Sequence, residues 1–274
     1  MSVREDAQRT VGLIGLGLVG RAIAARLQAA GFEVLGYDKS PQAMQGFEGK
    51  ATVEAKSAKR IVLAVFDTPD VAQIAAEATP DLFIDCTAGD PRGIEALARE
   101  LAAKGVRYIE APLSGSSEAI RRGEATMFMG GDVSGCEDIL AAISKRRHAV
   151  GAAGMASRAK LATNLVLGLN RAALAEGMAF AESLGIARAQ FLELVRGSPA
   201  ASTAALAKGE KMVARNFSPE SRIRQHLKDV RRMLEYTAFA LPLTEAHEKL
   251  LAAAVAAGDG DLDNAALIRR WSTS

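Results

Sequence analysis

Cysteine, tryptophan, tyrosine and histidine are all scarce, with two, one, three and three copies in 274 residues. Two cysteines, Cys86 and Cys136, do not make the disulfide framework of a small secreted domain. Cys86 sits in an apolar run and reads as a buried thiol suited to a reducing compartment. Neither sign of charge is in excess, since 34 basic residues stand against 32 acidic ones for a formal net charge of +2. The short basic clusters Arg121-Arg122, Lys145-Arg146-Arg147 and Arg231-Arg232 read as solvated faces. None is long enough to hold a nucleic acid or a membrane surface. Apolar runs are short too, and the stretch at 61–66 falls far below the ~20 residues that cross a bilayer. The opening residues 1–10 are polar and lack a signal-peptide core. These absences point to a soluble, cytoplasmic chain with no expected metal site. Its length suits one large domain or two of ordinary size around a substantial core.

What is present falls into two halves of different periodicity. Short apolar runs at 11–14, 33–37, 61–66, 82–86 and 108–110 read as strands, with helical patterns over 21–30 and 91–104 between them. Continuous apolar strands separated by helices imply βαβ units and a parallel sheet covered on both faces. Segments near 125–129 and 148–150 extend that sheet. Beyond Gly154 the pattern becomes helical throughout. Residues 157–184 form one Ala- and Leu-rich run without proline, with Gly185 as its stop signal. That run is apolar on too many faces for a solvated helix, so other helices or a second subunit should cover it. Helical patterns continue over 190–196, 220–240 and 244–257, with no strand candidate. The expected fold is an α/β Rossmann-type N-terminal domain, 1–154, followed by an all-α C-terminal domain, 155–274, for substrate binding and oligomerisation.

Gly15-Leu16-Gly17-Leu18-Val19-Gly20 matches G-x-G-x-x-G. It follows an apolar strand and opens a helix, and a second strand ends in Asp38, the context that dinucleotide binding requires. Gly15 permits the tight turn, Gly17 leaves room for a pyrophosphate, and Gly20 lets the helix pack on the strand. The N–H groups of Leu18 and Val19 then face the phosphates at the positive end of the helix. Asp38 is suited to accept from both ribose hydroxyls, and its charge repels a 2′-phosphate, which favours NAD. Lys39 reads either as a partner for that phosphate, which admits NADP, or as a solvated turn residue.

Five further stretches are separated along the chain. Glu110-Ala111-Pro112-Leu113-Ser114-Gly115-Ser116 is followed by Gly123-Glu124-Ala125-Thr126-Met127-Phe128-Met129-Gly130-Gly131. Next comes Gly154-Met155-Ala156-Ser157-Arg158-Ala159-Lys160-Leu161-Ala162-Thr163-Asn164, then Lys228-Asp229-Val230, and last an acidic tail, Gly258-Asp259-Gly260-Asp261-Leu262-Asp263. In order and spacing, together with the glycine loop, these resemble the motifs of the β-hydroxyacid dehydrogenases. That group includes 3-hydroxyisobutyrate dehydrogenases and tartronate semialdehyde reductases, and the likeness spans nearly the whole chain. Ala156 and Ser116 stand where the family pattern has glycine. In Asp85-Cys86-Thr87-Ala88-Gly89-Asp90-Pro91 the family's hydroxyl residue aligns with Ala88. The segments 45–59 and 72–81 are short against typical members, which would leave the adenine side more open.

The resemblance implies an NAD(P)-dependent enzyme that moves hydride between nicotinamide and a small 3-hydroxy acid such as 3-hydroxyisobutyrate, glycerate or a sugar acid. Lys160 is then the general acid and base, and Asn164, four residues on along the same helix face, holds the lysine or the substrate hydroxyl. Ser114, Gly115 and Ser116 would bind the substrate carboxylate, and Lys228 would reach the cofactor. A homodimer or homotetramer would bury the long helix. Two other readings use the same frame, an imine reductase and a non-catalytic dinucleotide sensor. Lys160 argues against the first, and the serine loop together with Lys160 and Asn164 argues against the second. The 6-phosphogluconate dehydrogenases share the architecture but have a much longer helical region.

Overall fold

A computed structural model describes residues 9–271 and divides into two compact units between Lys160 and Leu161. The first unit is built on β1 (Thr10–Ile14), β2 (Glu33–Tyr37), β3 (Lys50–Ala51), β4 (Arg60–Leu63), β5 (Leu82–Asp85) and β6 (Arg107–Glu110), and continues through β7 (Leu113–Ser114), β8 (Thr126–Gly130) and β9 (Arg146–Gly151). These form one sheet in the order β3-β2-β1-β4-β5-β6-β8-β7, with β9 paired to β8. From β3 to β6 every pairing is parallel. β8 then runs antiparallel to β6 and β7, and parallel to β9. Strand order reverses between β1 and β4, and in such sheets ligands bind outside the carboxyl ends of the strands at that point.

The helices of this unit are α1 (Leu18–Ala29), α2 (Pro41–Gln45), α3 (Thr68–Glu77), α4 (Pro91–Ala103), α5 (Ser117–Arg121) and α6 (Glu137–Ile143). Alternate residues of each strand point to opposite faces. Val62 and Ile84 join one buried cluster with Val11, Leu13, Ile23 and Leu27. Ile61, Leu63 and Phe83 join the other with Ile94, Val71 and Leu101. Both faces are therefore dry, which is why the strands read as continuous apolar runs. The strand expected over 61–66 stops at Leu63. Beyond it the Val65 N–H donates to Thr87 Oγ1 at 3.2 Å, and Asp67 caps α3 by accepting from the Asp70 N–H.

The second unit is helical. α7 (Met155–Ser183) runs into it from the first and is followed by α8 (Arg188–Arg196), α9 (Thr203–Val213), α10 (Ile223–Tyr236) and α11 (Pro242–Ala256). α7 ends at Gly185, φ +83°, where the Ile186 N–H returns to the Ala181 carbonyl at 2.9 Å, a left-handed helix stop. The acidic tail closes this unit. Asp263, fully buried, takes Lys208 Nζ at 3.0 Å and the N–H groups of Glu220, Ser221 and Ala265. Among the described residues no helix is long and apolar enough to cross a membrane, and no three metal-ligating side chains come together. Both cysteines are free and buried.

Candidate functional site

The glycine loop lies at the reversal between β1 and β4. Gly15 has φ +99°, and a Cβ there would meet the Ala64 carbonyl oxygen at 2.3 Å. At Gly20 a Cβ would come within 1.8 Å of the Gly15 carbonyl oxygen, so the helix packs against its own loop. Gly17 differs from both: a Cβ there would meet no protein atom within 4 Å. It is exposed, N-caps α1 with no side-chain hydrogen bond, and is followed by a first turn without acidic residues. The N–H groups of this helix start are therefore open to an anion, and the residues present fit a dinucleotide pyrophosphate.

Asp38 follows β2 and is held in place from two sides. Its Oδ2 accepts the Leu16 N–H at 2.7 Å and its Oδ1 accepts the Ser40 N–H at 2.8 Å. Each carboxylate oxygen retains a further lone pair for a ribose hydroxyl. Lys39 is directed elsewhere. Its ammonium pairs with Asp70 at 2.9 Å on an exposed surface, and that contact raises its pKa.

Lys160 lies at the carboxyl edge of the same unit, within electrostatic reach of Asp85 and Cys86. Asp85 ends β5, is buried, and accepts from Tyr108 Oη at 2.5 Å and the Thr87 N–H at 2.8 Å. Burial pushes its carboxyl up, while those two bonds and the Lys160 charge pull it back. The same burial pushes the Cys86 thiol up, so it stays protonated. Beside Asp85 in the register sits Glu110, fully buried, whose carboxylate accepts the N–H groups of Gly154, Ala156 and Ser157. Thr87 lies one position before Ala88. It is buried with its Oγ1 turned inward to the Val65 N–H.

The loop at Ser114, Gly115 and Ser116 is partly exposed between β7 and α5. Ser116 has a local task, since it N-caps α5 by accepting the Ala119 N–H at 3.2 Å. Its hydroxyl hydrogen remains a donor. In the second unit Asn164 Nδ2 lies 3.5 Å from Asp229 Oδ2, and Lys228 precedes that aspartate on α10, half-buried. One turn beyond Asn164, Gly168 makes room for a buried pair, His226 and His247, whose Nε2 atoms are 3.1 Å apart.

Glu110, Asp85, Asp229, His226 and His247 carry no role in the motif reading, although the first three lie inside its motifs. A carboxylate in a run of strand residues was the available signal for Asp85 and Glu110, because an ionised group entering a dry sheet needs partners. No spacing rule announces the histidine pair.

Comparison with known proteins follows the same division. The family described as the NAD-binding domain of 6-phosphogluconate dehydrogenase matches residues 10–154. The one described as the NAD-binding domain of NADP-dependent 3-hydroxyisobutyrate dehydrogenase matches 154–271. The chain is 29% identical to an L-threonate dehydrogenase of Cupriavidus necator, over 95% of each chain. Its fold is similar to that of a 3-hydroxyisobutyrate dehydrogenase from Salmonella typhimurium, with TM-score 0.86, 24% identity, and coverage of 95% and 99%. It is also similar to a protein named Psf3 in complex with NADP+ and 2-OPP, with TM-score 0.87, 20% identity, and coverage of 96% and 100%. The glycine cradle, the two-part architecture and these matches agree: the chain belongs to the β-hydroxyacid dehydrogenase family and is an NAD(P)-dependent oxidoreductase.

Proposed function

We propose that this protein interconverts a small 3-hydroxy acid and its carbonyl partner, with NAD as preferred carrier and Lys160 as the proton-transfer group. The observation that carries the reading is Lys160 in the field of buried Asp85, which ends a strand of the sheet whose first turn forms the open glycine cradle. The bound nicotinamide supplies or takes up the hydride, and the protein's part is the proton and the substrate's orientation. In reduction the Lys160 ammonium donates a proton to the carbonyl oxygen. In oxidation the neutral amine accepts it from the hydroxyl. The Ser114 hydroxyl and the N–H groups of Gly115 and Ser116 offer neutral donors to a carboxylate. Asn164 orients the lysine or the hydroxyl, and Lys228 is assigned to the cofactor. Threonate and 3-hydroxyisobutyrate, named in the relatives, define the substrate class to be tested. Asp38 supports NAD over NADP, and the ammonium of its neighbour Lys39 is paired with Asp70. The proposed setting is a cytoplasmic homodimer or homotetramer.

The test is reduced-nicotinamide absorbance with NAD⁺ and NADP⁺ separately against 3-hydroxyisobutyrate, glycerate, threonate and related acids. Turnover of at least one 3-hydroxy acid is expected. Turnover confined to imines, or cofactor binding with none of these acids oxidised, would contradict the reading.

A further inference from the structure

We propose that Glu110 is a positioning residue for Lys160, a single buried carboxylate that ties the start of the lysine-bearing helix to the strand leading into the substrate loop. The inference rests on the assignment of Lys160 as the proton-transfer group. Glu110 ends β6 and is 0% exposed. Its Oε2 accepts from the Gly154 N–H at 2.8 Å and the Ala156 N–H at 3.1 Å, and its Oε1 from the Ser157 N–H at 2.7 Å. These are among the N–H groups that a helix start cannot satisfy within itself, and the negative charge suits the positive end of α7.

The surroundings are shaped for this grip. A Cβ at Gly130 would lie 2.9 Å from Glu110 Oε2 and 2.7 Å from the Ala152 carbonyl oxygen, so glycine clears the space for the carboxylate. Gly154, φ +90°, makes the turn into the helix and would crowd Glu95 at 2.5 Å with any side chain. Lys160 follows Ala156 and Ser157 by four and three residues, one turn along the same face. In the other direction Glu110 is followed by Ala111, whose N–H donates to the Asp85 carbonyl at 2.7 Å, and by Pro112, whose carbonyl accepts the Phe128 N–H at 3.1 Å. Ser114 comes next but one, at the end of that braced segment. The carboxylate therefore fixes the distance between the group that handles the proton and the loop that holds the substrate. Misplacement by about 1 Å at such a distance costs on the order of 100-fold in turnover.

Full-length Glu110→Gln and Glu110→Asp are compared with the native chain for kcat, cofactor KM and thermal melting. In Glu110→Gln the amide NH2 must face a backbone N–H on one side. Its kcat should fall by about 10- to 100-fold, while cofactor KM changes by less than about twofold, because the glycine cradle is untouched. Glu110→Asp keeps the charge and both acceptor oxygens but is one methylene shorter, so it should recover only part of the lost kcat. A kcat within about twofold of native in Glu110→Gln, or a loss confined to cofactor KM, would overturn the proposal. Should Glu110→Gln fail to melt cooperatively, Gly130→Ala takes its place. It displaces the carboxylate without removing it and should lower kcat by about 3- to 10-fold, and an unchanged kcat would be equally contrary. Lys160→Ala runs beside them. Retained turnover there defeats the lysine assignment and this inference together. An inactive Lys160→Ala beside a fully active Glu110→Gln defeats only the positioning role.

Discussion

One carboxylate, Asp38, is proposed to set cofactor preference. Asp38 is held by the N–H groups of Leu16 and Ser40, which leaves each carboxylate oxygen a lone pair for a ribose hydroxyl. Hydrogen bonds to a charged acceptor contribute about 1.5–3 kcal/mol each. Asp38→Ala should therefore raise KM for NAD about tenfold or more, and raise KM for NADP much less because it also removes a repulsion. Parallel initial-rate measurements with both dinucleotides read the ratio directly. An unchanged ratio would take Asp38 out of the site. Lys39 is a poor candidate for rescuing NADP, since its ammonium is engaged by Asp70 on the surface.

At the level of elements, the helical unit is organised around an unusual junction of α7, α10 and α11. Gly168 brings no side chain, and His226 and His247 fill the space it leaves. Burial, then the neighbouring imidazole and Arg171, hold His226 well below its ordinary range. Burial, then Arg171, pushes His247 down to about 4. Both rings are therefore neutral in the folded chain at pH 7. Once unfolded each titrates near 6.5, so below that pH the unfolded chain binds protons that the folded chain refuses. Stability from this pair is present above pH 6.5 and is lost as pH falls below it, for His247 over the range down to about 4 at up to about 1.4 kcal/mol per pH unit. Urea unfolding at stepped pH should show that slope. Gly168→Ala places a Cβ 2.4 Å from His226 Nε2, so the pair must separate, at a cost of about 1–3 kcal/mol. A native urea midpoint in Gly168→Ala would show that the junction yields freely.

The same elements show what the sequence could convey. Periodicity located α7 to within two residues at its start and one at its end, because Gly154 and Gly185 punctuate it. It missed α3 and α9, although Asp67 with Pro69 and Ser202 are legible capping signals. Both are longer than α8, whose pattern was read, but their buried faces break the apolar stripe: Thr68 joins Val71 and Ile74 in one, and Lys208 and Gly209 lie between Ala205 and Met212 in the other. The dinucleotide loop was fully legible because its chemistry is local, a turn and a helix start within six residues. The grip of Glu110 on Gly154, Ala156 and Ser157 spans 44 to 47 residues, and the histidine pair spans 21. Contacts made by the fold across such distances leave no period or spacing to read.

Across the whole molecule, the long helix carries more apolar surface than one chain covers. Full burial by neighbouring helices was the alternative to a second subunit, yet Val166 and Phe180 on α7 remain 57% and 65% exposed, with exposed Ala162 and Ala173 on the same stripe and Leu184, 62% exposed, just past the helix end. The proposed assembly places this stripe at the contact between copies of the chain. Sedimentation at micromolar concentration should give a dimer or tetramer, and Phe180→Asp should shift it towards monomer. A monomeric native chain would contradict the proposed assembly.

The central claim is that Lys160 moves the proton while the nicotinamide carries the hydride. Its most direct test is turnover by Lys160→Ala on the acid that the native enzyme oxidises fastest, with cofactor binding followed by fluorescence in the same samples. A loss of about 10²- to 10⁴-fold in kcat with cofactor affinity preserved is expected. Turnover within about threefold of native, with the cofactor bound as before, would contradict it.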